Sequence, residues 1–523
     1  MGDNGEQREG MMPHDRHAMS RPLPRRTLLR AASGGCVGAI AGLLASCDRT
    51  ATPHTAVSPP GATPVAPIAA GMRPILVTVS AAPGGPTTGL AARPVDPLTL
   101  ADAPGAAPLS FAHHYSSALG PGGRTMAVFS WPDGATNTGG ALQFIDLPTW
   151  TATPTAATAD DFVSGALFTA GGRYLYWMAA TRRDRAHDLP LDFDLVRYDR
   201  DRDATRVVAS LPPSFVPDSL PTSARLLHND TELAIYGLPT DGENLASDAP
   251  HLLIVDLQRG TIRADVRLEG VKAGQFAEGP LNTPTYQRYE PGLTWDLARD
   301  RLYIGHAEAG RITAVDLAGG SAQPAVDTHP TSSAWERIAR WLMPTVAAKG
   351  GPSNGCAIVP GRDGARLFLA RYGRERRQRP DGTWAEEAVP SAVQVVDAGD
   401  VHLIRTLDLP ARQMMPTPDG RTLLAVVTDG SGEATADATQ GTPTRLLLID
   451  TQTLDERGGA VVADGASLVG FSPDGRTVYL HGATRPPVPR AGLLQVFSLD
   501  TQRIVAERTL ASGGGNLLAM RDW

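Results

Sequence analysis

Side chains that could hold a metal ion are few and scattered. Ten histidines follow residue 46, and only His113 and His114 are adjacent; Cys356 has no second cysteine after residue 47. A metal site needs several converging ligands with supporting contacts, whereas adjacent residues of a strand point to opposite faces. We therefore expect this histidine pair to pack or to lie at the surface, and the sequence predicts no metal and no other cofactor.

Two charged clusters could bind ions, and each has a plainer interpretation. Asp188, Asp192 and Asp194 lack the glycine-turned spacing of a calcium loop, and nearby arginines compete for their carboxylates. We expect a solvated loop of mixed charge there. A basic run consists of Arg371, Arg374, Arg376, Arg377 and Arg379. Neighbouring glutamates dilute this charge, which favours a hairpin tip over an anion site.

A serine in the pattern G-x-S-x-G could act as a nucleophile. The pattern covers residues 351–355 with Ser353 at its centre. A nucleophile elbow needs a strand before the serine and a helix after it. Here a helix-like stretch precedes the serine and an apolar strand, 356–359, follows it, so we expect a loop without catalytic function.

The last candidate for binding lies in an insertion near residues 328–354. Trp335, Ile338, Ala339 and Leu342 are spaced as one face of a short helix, while Trp341 lies off that face. The sequence predicts either a helix that caps the fold with ordinary packing or a docking element over one end of it. In the second case Trp335 and Trp341 are the candidate binding residues.

The first 46 residues are typical of an export signal. Arg25 and Arg26 precede a weakly apolar stretch that ends in Leu44-Ala45-Ser46-Cys47. The arginine pair resembles the twin-arginine signal, and the sequence before Cys47 resembles the lipobox of bacterial lipoproteins. The resemblance implies cleavage before Cys47, acylation of its thiol, and a lipid anchor at the outer face of the cytoplasmic membrane.

The net charge of the chain after residue 46 restricts the classes of partner that it can bind. Removing the six basic and four acidic residues of 1–46 leaves 42 basic and 51 acidic residues, a net charge of −9. This balance argues against nucleic acid as a partner. Residues 47–72 begin with the lipidated cysteine and continue as an Ala/Pro/Thr-rich segment, which predicts a flexible tether.

Internal repeats over residues 73–523 predict an all-β fold. An apolar strand that ends in aspartate recurs eight times, at Asp96, Asp146, Asp199, Asp256, Asp316, Asp397, Asp450 and Asp500. An aspartate at this point accepts hydrogen bonds from the backbone just ahead of it and closes a hairpin. A second turn, such as Pro418-Asp419-Gly420, alternates with the first. Repeats of about 40 to 50 residues, each with four antiparallel strands, are typical of a β-propeller.

The repeats resemble those of bacterial YVTN-like propellers and, more loosely, of lactonase-like seven-bladed propellers. The best matches are residues 417–428 and 471–482. Eight aspartates predict eight blades, and the habit of the resembled family leaves seven as the alternative. The first repeat lacks an innermost strand, so we expect residues 516–520 to pair with residues 74–80 and close the ring.

Two classes of function remain open. The first is a membrane-anchored binding or scaffold module that holds a protein or small-molecule ligand at one propeller face. The second, which the family resemblance implies, is a lactonase-like hydrolase or a quinoprotein-like oxidoreductase with its site at the channel mouth. The discriminating observation is whether three or more of His, Asp, Glu and Arg meet there.

Overall fold

The computed structural model describes strands and turns between residues 73 and 510. The described residues are 73–80, 87–111, 113–131, 140–159, 163–182, 191–218, 223–239, 246–278, 285–328, 353–362, 364–378, 384–388, 392–428, 444–472, 474–484 and 492–510. They all belong to the second of two units into which the chain divides, 48–523. No helix among them is long and apolar enough to cross a membrane.

The strands form eight sheets in the described part, numbered I to VIII in chain order. Sheet I has three strands: β1 (Arg73–Ser80), β2 (Thr87–Val95) and β3 (Leu109–Phe111). Sheet II has β4 (His113–Leu119), β5 (Thr125–Trp131), β6 (Gly140–Asp146) and β7 (Thr151–Ala159). Sheet III has β8 (Val163–Phe168), β9 (Tyr174–Arg182), β10 (Leu191–Asp199) and β11 (Ala204–Ser210).

Sheets IV and V each add a short strand to a path of four. Sheet IV has β12 (Phe215–Pro217), β13 (Ala224–Leu227), β14 (Glu232–Pro239), β16 (His251–Asp256) and β17 (Thr261–Arg267). Sheet V has β20 (Gly292–Asp296), β21 (Arg301–Gly305), β22 (Arg311–Asp316), β23 (Ser321–Ala322) and β24 (Val326–Asp327). Short 3-10 helices, Pro121–Gly123 and Leu297–Arg299, lie in the first hairpins of sheets II and V.

Sheet VI is larger than the others, with eight strands. They are β15 (Ala246–Ser247), β18 (Ala273–Glu278), β19 (Thr285–Glu290), β25 (Ser353–Pro360), β26 (Arg366–Gln378), β27 (Trp384–Ala388), β28 (Val393–Asp397) and β29 (Leu403–Leu407). The hairpin β18–β19 joins through a parallel pair in which Arg288 faces Ser353 and Glu290 faces Gly355.

The last two sheets return to four strands. Sheet VII has β30 (Ala411–Pro416), β31 (Thr422–Thr428), β32 (Thr444–Asp450) and β33 (Glu456–Val462). Sheet VIII has β34 (Asp464–Phe471), β35 (Thr477–Ala483), β36 (Gly492–Ser498) and β37 (Arg503–Leu510). The all-β propeller fold that the repeats predicted is confirmed.

The predicted blade count is wrong. In its described residues the structure has six blades with a path of four strands (II, III, IV, V, VII and VIII), not eight or seven, beside three-stranded sheet I and eight-stranded sheet VI. Each counted aspartate marks a hairpin, and the hairpin is determined by residues only two or three positions apart. The number of strands in a sheet depends instead on pairing between distant strands, such as β19 with β25, and a repeated turn does not predict such pairing.

The predicted closure by a C-terminal strand is also wrong. Among described residues, sheet I contains only β1, β2 and β3, and none of the sheets closes on itself. Residues 516–520 lie outside the described residues. Side chains join the two ends instead: Val95 and Leu100 share a buried cluster with Tyr479 and Val496 of blade VIII. Arg508 of β37 donates to both carboxylate oxygens of Asp102, at 2.8 and 3.1 Å.

The core lies between neighbouring sheets. Tyr176 and Phe193 of blade III pack with Leu233 and Leu253 of blade IV, for example. Alternating side chains of a strand point to opposite faces, so each central strand serves two such seams. Apolar side chains on both faces of the central strands, as in Leu423–Val427 of β31, follow from this arrangement.

Candidate functional site

The connections of a blade gather at two different ends. Antiparallel order places the first-to-second and third-to-fourth connections at one end, which we call the turn end. The second-to-third connections and the entry to each first strand lie at the other, which we call the loop end. The repeated aspartate and Asp-Gly turns all belong to the turn end. The irregular connections, whose residues are candidates for ligand contact, therefore lie at the loop end, away from the repeated turns.

At the turn end the aspartates act as predicted and are structural. Asp450 Oδ1 accepts hydrogen bonds from the N–H groups of Gln452 and Thr453, at 2.7 and 2.8 Å. Asp256 accepts from Gln258 and Arg259 in the same way, at 2.9 Å each. The backbone bond from Thr453 is the largest cause that lowers the pKa of Asp450. These carboxylates are engaged in closing hairpins.

One group at the turn end has the residue types of a metal site. Asp397, Asp400 and His402 place their ligand atoms within 4.8 Å of one another. Asp397 Oδ1, however, already accepts from the Gly399 N–H at 2.7 Å, and Asp400 bonds to His402. That bond is the largest cause that raises the pKa of His402 and lowers the pKa of Asp400. Asp400 and His402 are exposed, and the trio is a stabilised surface turn.

At the loop end, polar side chains converge on the connection between β21 and β22. His306 is fully buried; its Nδ1 lies 3.3 Å from Glu308 Oε1 and its Nε2 lies 2.9 Å from the Thr313 hydroxyl. One ring nitrogen therefore bonds to Glu308 and the other to the Thr313 hydroxyl, so both are engaged within the protein. Glu308 is thus held in one orientation, with its side chain 19% exposed.

Sheet VI supplies the second side of this convergence. Cys356 of β25 faces Arg371 of β26 in register, so both side chains lie on the face that meets blade V. Arg371 Nε donates to the Ala307 carbonyl at 3.0 Å. Asn354, two residues before Cys356, lies on that same face and is buried. A Cβ on Gly305 would lie 2.5 Å from Cys356 Sγ, so this close approach requires the glycine.

Blade IV supplies the third side. Tyr236 of β14 is 1% exposed and packs with Leu302 and Ile304 of blade V. Burial raises its pKa well above the ordinary value, and the charges of Asp218 and Glu308 raise it further. The connection that carries Glu308 follows Ile304 of that cluster, and its Ala307 carbonyl accepts from Arg371 of sheet VI. We call the set Tyr236, His306, Glu308, Asn354 and Arg371 the seam site.

The connection that carries Glu308 is fixed by its backbone. The His306 N–H donates to the Arg311 carbonyl at 3.0 Å, and both the N–H and the hydroxyl of Thr328 donate to the Gly310 carbonyl at 2.7 Å. The Thr328 hydroxyl also lies 2.6 Å from Gln394 Oε1 of sheet VI. These buried hydrogen bonds, from Thr328 and Gln394 next to the seam site, fix the conformation of the connection that carries Glu308.

The charges and thiol of the seam site limit its chemistry. Burial raises the pKa of Cys356 to about 12, against the opposing influence of Arg371. A thiol with that pKa stays protonated at neutral pH and is a poor nucleophile. Both nitrogens of His306 are engaged within the protein. The arrangement is suited to holding a polar group and poorly suited to nucleophilic attack.

The residues chosen from the sequence are mostly elsewhere. Arg25, Arg26, Cys47, Trp335 and Trp341 lie outside the described residues, as do 329–352 of the predicted insertion. Ser353 and Asn354 begin β25, so the strand after the G-x-S-x-G pattern starts at the serine itself.

Two of the charged clusters lie in strands where loops were expected. Asp192 and Asp194 lie in β10, because the hairpin with β9 extends to Leu191 and Arg182, and Asp192 is 7% exposed. The expected solvated loop is wrong for these two residues, whereas Asp188 lies outside the described ones. Arg371 to Arg377 lie in β26, which pairs with β27. Of the basic run, Arg371 alone belongs to the seam site.

The sequence analysis missed His306, Glu308, Asn354 and Tyr236. His306 and Glu308 lie in the β21–β22 connection, Tyr236 in β14 and Asn354 in β25. The largest separation along the chain, between Tyr236 and Arg371, is 135 positions. One indirect signal in the sequence could have found them. The repeated turns mark one end of every blade, so the short connection 306–310 lies at the other end, and its histidine and glutamate two positions apart make it a candidate for ligand binding.

Comparisons with known proteins give no family. No family model matches the chain, and no curated protein matches it either. The resemblance to YVTN-like propellers therefore stays a prediction.

Solved structures match at low identity. A eukaryotic initiation factor is 11% identical with a TM-score of 0.46, covering 84% of this chain and 96% of its own. A dihydro-heme d1 dehydrogenase is 14% identical with a TM-score of 0.45, covering 85% and 75%. An oligogalacturonate lyase in complex with manganese is 14% identical with a TM-score of 0.39, covering 82% and 98%. Likenesses of this level carry no argument about activity or ligand.

Proposed function

We propose that this protein is an exported, lipid-anchored β-propeller that binds a small polar ligand at the seam site. The proposed address is supported by the order of Arg25, Arg26, an apolar stretch and Cys47, which resembles an export signal followed by a lipobox, although Pro24 and the long segment before the arginines depart from that pattern. The binding role rests on the loop end of the propeller, where side chains from three sheets converge.

The observation that carries the binding role is a set of buried polar atoms without partners. Among described residues, Tyr236 Oη, Glu308 Oε2 and Asn354 Oδ1 are buried and have no hydrogen-bond partner. Each such atom costs about 1–3 kcal/mol of stability. Three such acceptors on neighbouring sheets IV, V and VI favour a ligand at the loop end, because buried polar groups are normally hydrogen-bonded.

The enzyme alternative has one observation in its favour. His306, Glu308 and Arg371 do converge at the loop end, as a catalytic site at the channel mouth would require. His306 is fully buried with both nitrogens engaged, and the pKa of Cys356 is about 12, so neither can attack a substrate. Glu308 is left as the one candidate base of the seam site, and a carboxylate alone supports binding better than a hydrolase or oxidoreductase mechanism.

A protein partner at the predicted insertion is a separate proposal. Trp335 and Trp341 are its candidate contacts, and their aromatic side chains are common at interfaces. Substituting Trp335→Ala would weaken such binding and leave the fold intact.

Thermal unfolding tests the proposed function. The probe is the dialysable small-molecule fraction of the host culture, added to the full-length protein and to Glu308→Gln. At one hundred times Kd we expect the wild-type Tm to rise by about 3 °C for a chain of this size. Glu308→Gln should show no rise, whereas Glu456→Gln, at an exposed glutamate of β33, should behave as wild type. A rise of equal size in wild type and Glu308→Gln would contradict the assignment of the site.

A further inference from the structure

A cavity lies at the turn end between blades II and III. Its volume is about 460 Å³, within the range of about 300–1,000 Å³ that small-ligand sites occupy. Blade II lines it with residues of β5, β6 and β7, and blade III lines it with Tyr198, Arg200 and Asp203. None of these residues belongs to the seam site, so the cavity is a separate place where a small molecule could bind.

Strand register places a carboxylate and two hydroxyls on one wall of this cavity. Asp146 of β6 lies directly opposite Thr125 of β5. Phe144, two residues earlier in β6, lies opposite Thr153 of β7. Opposed residues share a face of an antiparallel sheet, as do residues two apart in a strand, so these side chains lie on the same face. That face meets blade III, because the rings of Phe144 and Tyr198 lie 5.5 Å apart.

Asp146 differs from the aspartates that close hairpins at the turn end. Asp450 and Asp256 each accept from the backbone N–H two positions ahead, whereas Pro148 stands at that position after Asp146 and has no N–H. Asp146 Oδ2 accepts from the Thr149 hydroxyl at 2.7 Å, and its Oδ1 has no donor among the described residues. One oxygen of this carboxylate is therefore open to a ligand in the cavity.

The other charged side chains of the cavity are held by the protein. Asp203 Oδ1 accepts from the Tyr198 hydroxyl at 2.6 Å and from a backbone N–H of β7 at 3.1 Å. The Arg200 guanidinium lies 4.8 Å from the centre of the Phe144 ring, and its Nη1 donates to the Gly172 carbonyl at 3.1 Å. A guanidinium has five N–H donors, so Arg200 retains donors for a ligand.

Both signs of charge therefore line the cavity. Two donors already stabilise the charge of Asp203, which leaves Asp146 and Arg200 as the opposite charges that a ligand meets. An anion would be repelled by the first and a cation by the second. A neutral hydroxyl avoids both repulsions, because it can donate to Asp146 Oδ1 and accept from Arg200 or from a threonine hydroxyl.

We propose that this cavity binds a neutral saccharide. A sugar presents adjacent hydroxyls that donate and accept together, and a carboxylate, a guanidinium and threonine hydroxyls in one cavity complement that combination. The volume admits a monosaccharide or a disaccharide. This site goes beyond the function proposed for the seam site and does not depend on it.

A glycan array probed with the full-length protein tests the inference. The array carries neutral oligosaccharides and matched oligosaccharides that contain a uronic acid or a free amino sugar. We expect the wild type to bind a neutral glycan, and its charged counterparts at least about tenfold more weakly. Binding to charged glycans alone, or to no glycan, would overturn the inference.

Two variants place the glycan in the cavity, with calorimetric titration of the glycan that the wild type binds. Asp146→Asn retains an acceptor for the Thr149 hydroxyl but loses the charge that binds a ligand hydroxyl, so we expect binding about tenfold weaker with the Tm unchanged. Thr153→Trp, at an exposed position of β7, should fill the cavity and abolish binding. Wild-type affinity in both variants would overturn the assignment of the cavity.

Two controls separate this site from the rest of the molecule. Asp500→Asn changes an exposed turn aspartate of blade VIII, and Glu308→Gln changes the seam site; both should bind the glycan as the wild type does. If Glu308→Gln loses the glycan and Asp146→Asn keeps it, the glycan is the ligand of the seam site. That result would overturn this inference and support the proposed function.

Discussion

At the scale of single residues, Asp450 shows how a repeated side chain determines a turn. Its carboxylate accepts from two consecutive backbone N–H groups and pairs with Arg457, and its side chain is 10% exposed. Because these bonds lower the pKa of Asp450, the charged form stabilises the folded state. This contribution is present above the pKa of the unfolded chain, near 4, and is lost as the pH falls through the lower folded-state value.

Asp450→Ala should therefore lower the free energy of unfolding at pH 7 by about 1–2 kcal/mol, since two backbone donors lose their acceptor. The difference from wild type should shrink as the pH falls below about 4, where the unfolded state binds the proton, and be lost below the lower folded-state pKa, where both states bind it. Urea denaturation at pH 7 and pH 3 measures both values. Asp500→Ala is the control, because Asp500 is 54% exposed and its ion pair with Arg476 should contribute little. An equal loss at the two pH values would show that the bonds do not depend on the carboxylate charge.

Local chemistry explains why the turn aspartates could be predicted from the sequence and the seam site could not. Asp450 and its partners Gln452 and Thr453 are neighbours in the chain, so their identity and spacing carry the geometry. Arg371 reaches the connection that carries Glu308 only because sheet VI packs beside blade V. Such contacts leave no mark in the spacing of a single sequence.

At the scale of elements, the same distinction separates strands from blades. The repeat matches at residues 417–428 and 471–482 contain β31 and most of β35, whose side chains alternate between two buried faces. The joining of β18–β19 to β25 depends on a parallel pair between residues 288–290 and 353–355, and no local pattern encodes it. The count of repeats therefore predicted the fold but gave the wrong number of four-stranded blades.

The contact between the two ends of the described chain makes a prediction at this scale. Arg508 of β37 binds Asp102 with two hydrogen bonds and also donates to the Leu100 carbonyl at 2.9 Å. Arg508→Ala should lower the free energy of unfolding by about 1 kcal/mol, a modest value because Asp102 is half exposed.

A charge exchange serves as its control. Arg508→Asp should cost more than Arg508→Ala, and adding Asp102→Arg should restore part of the loss, since the pair then has reversed charges. Urea denaturation of the wild type, Arg508→Asp, Asp102→Arg and the double variant gives the coupling energy. A double variant no more stable than Arg508→Asp would show that this contact does not hold the two ends together.

At the scale of the whole molecule, the proposed anchor predicts where the protein is found. Cys47→Ser should move it from the membrane fraction to the soluble exported fraction, because the acyl chains are attached through that thiol. Arg25→Lys with Arg26→Lys should instead retain it inside the cell. Fractionation followed by immunoblotting distinguishes the two results, and a Cys47→Ser protein that remains in the membrane would contradict the anchor.

The function proposed for the whole propeller depends on the difference between its two ends. Repeated hairpins close the turn end with aspartate and backbone hydrogen bonds, whereas Glu308 in a connection of the loop end keeps a buried oxygen without a partner among the described residues. In propellers, loops of several blades commonly contribute to one ligand site.

Hydrogen–deuterium exchange tests this claim most directly. The full-length protein is compared with and without the small-molecule fraction of the host culture, and exchange is followed by peptide mass spectrometry. Binding at the seam site should slow exchange in peptides that cover residues 306–310 and 354–356, and leave the turn at residues 450–455 unchanged. Slower exchange at the turn end alone, or a ligand-induced rise in Tm with no protection of residues 306–310, would contradict the account.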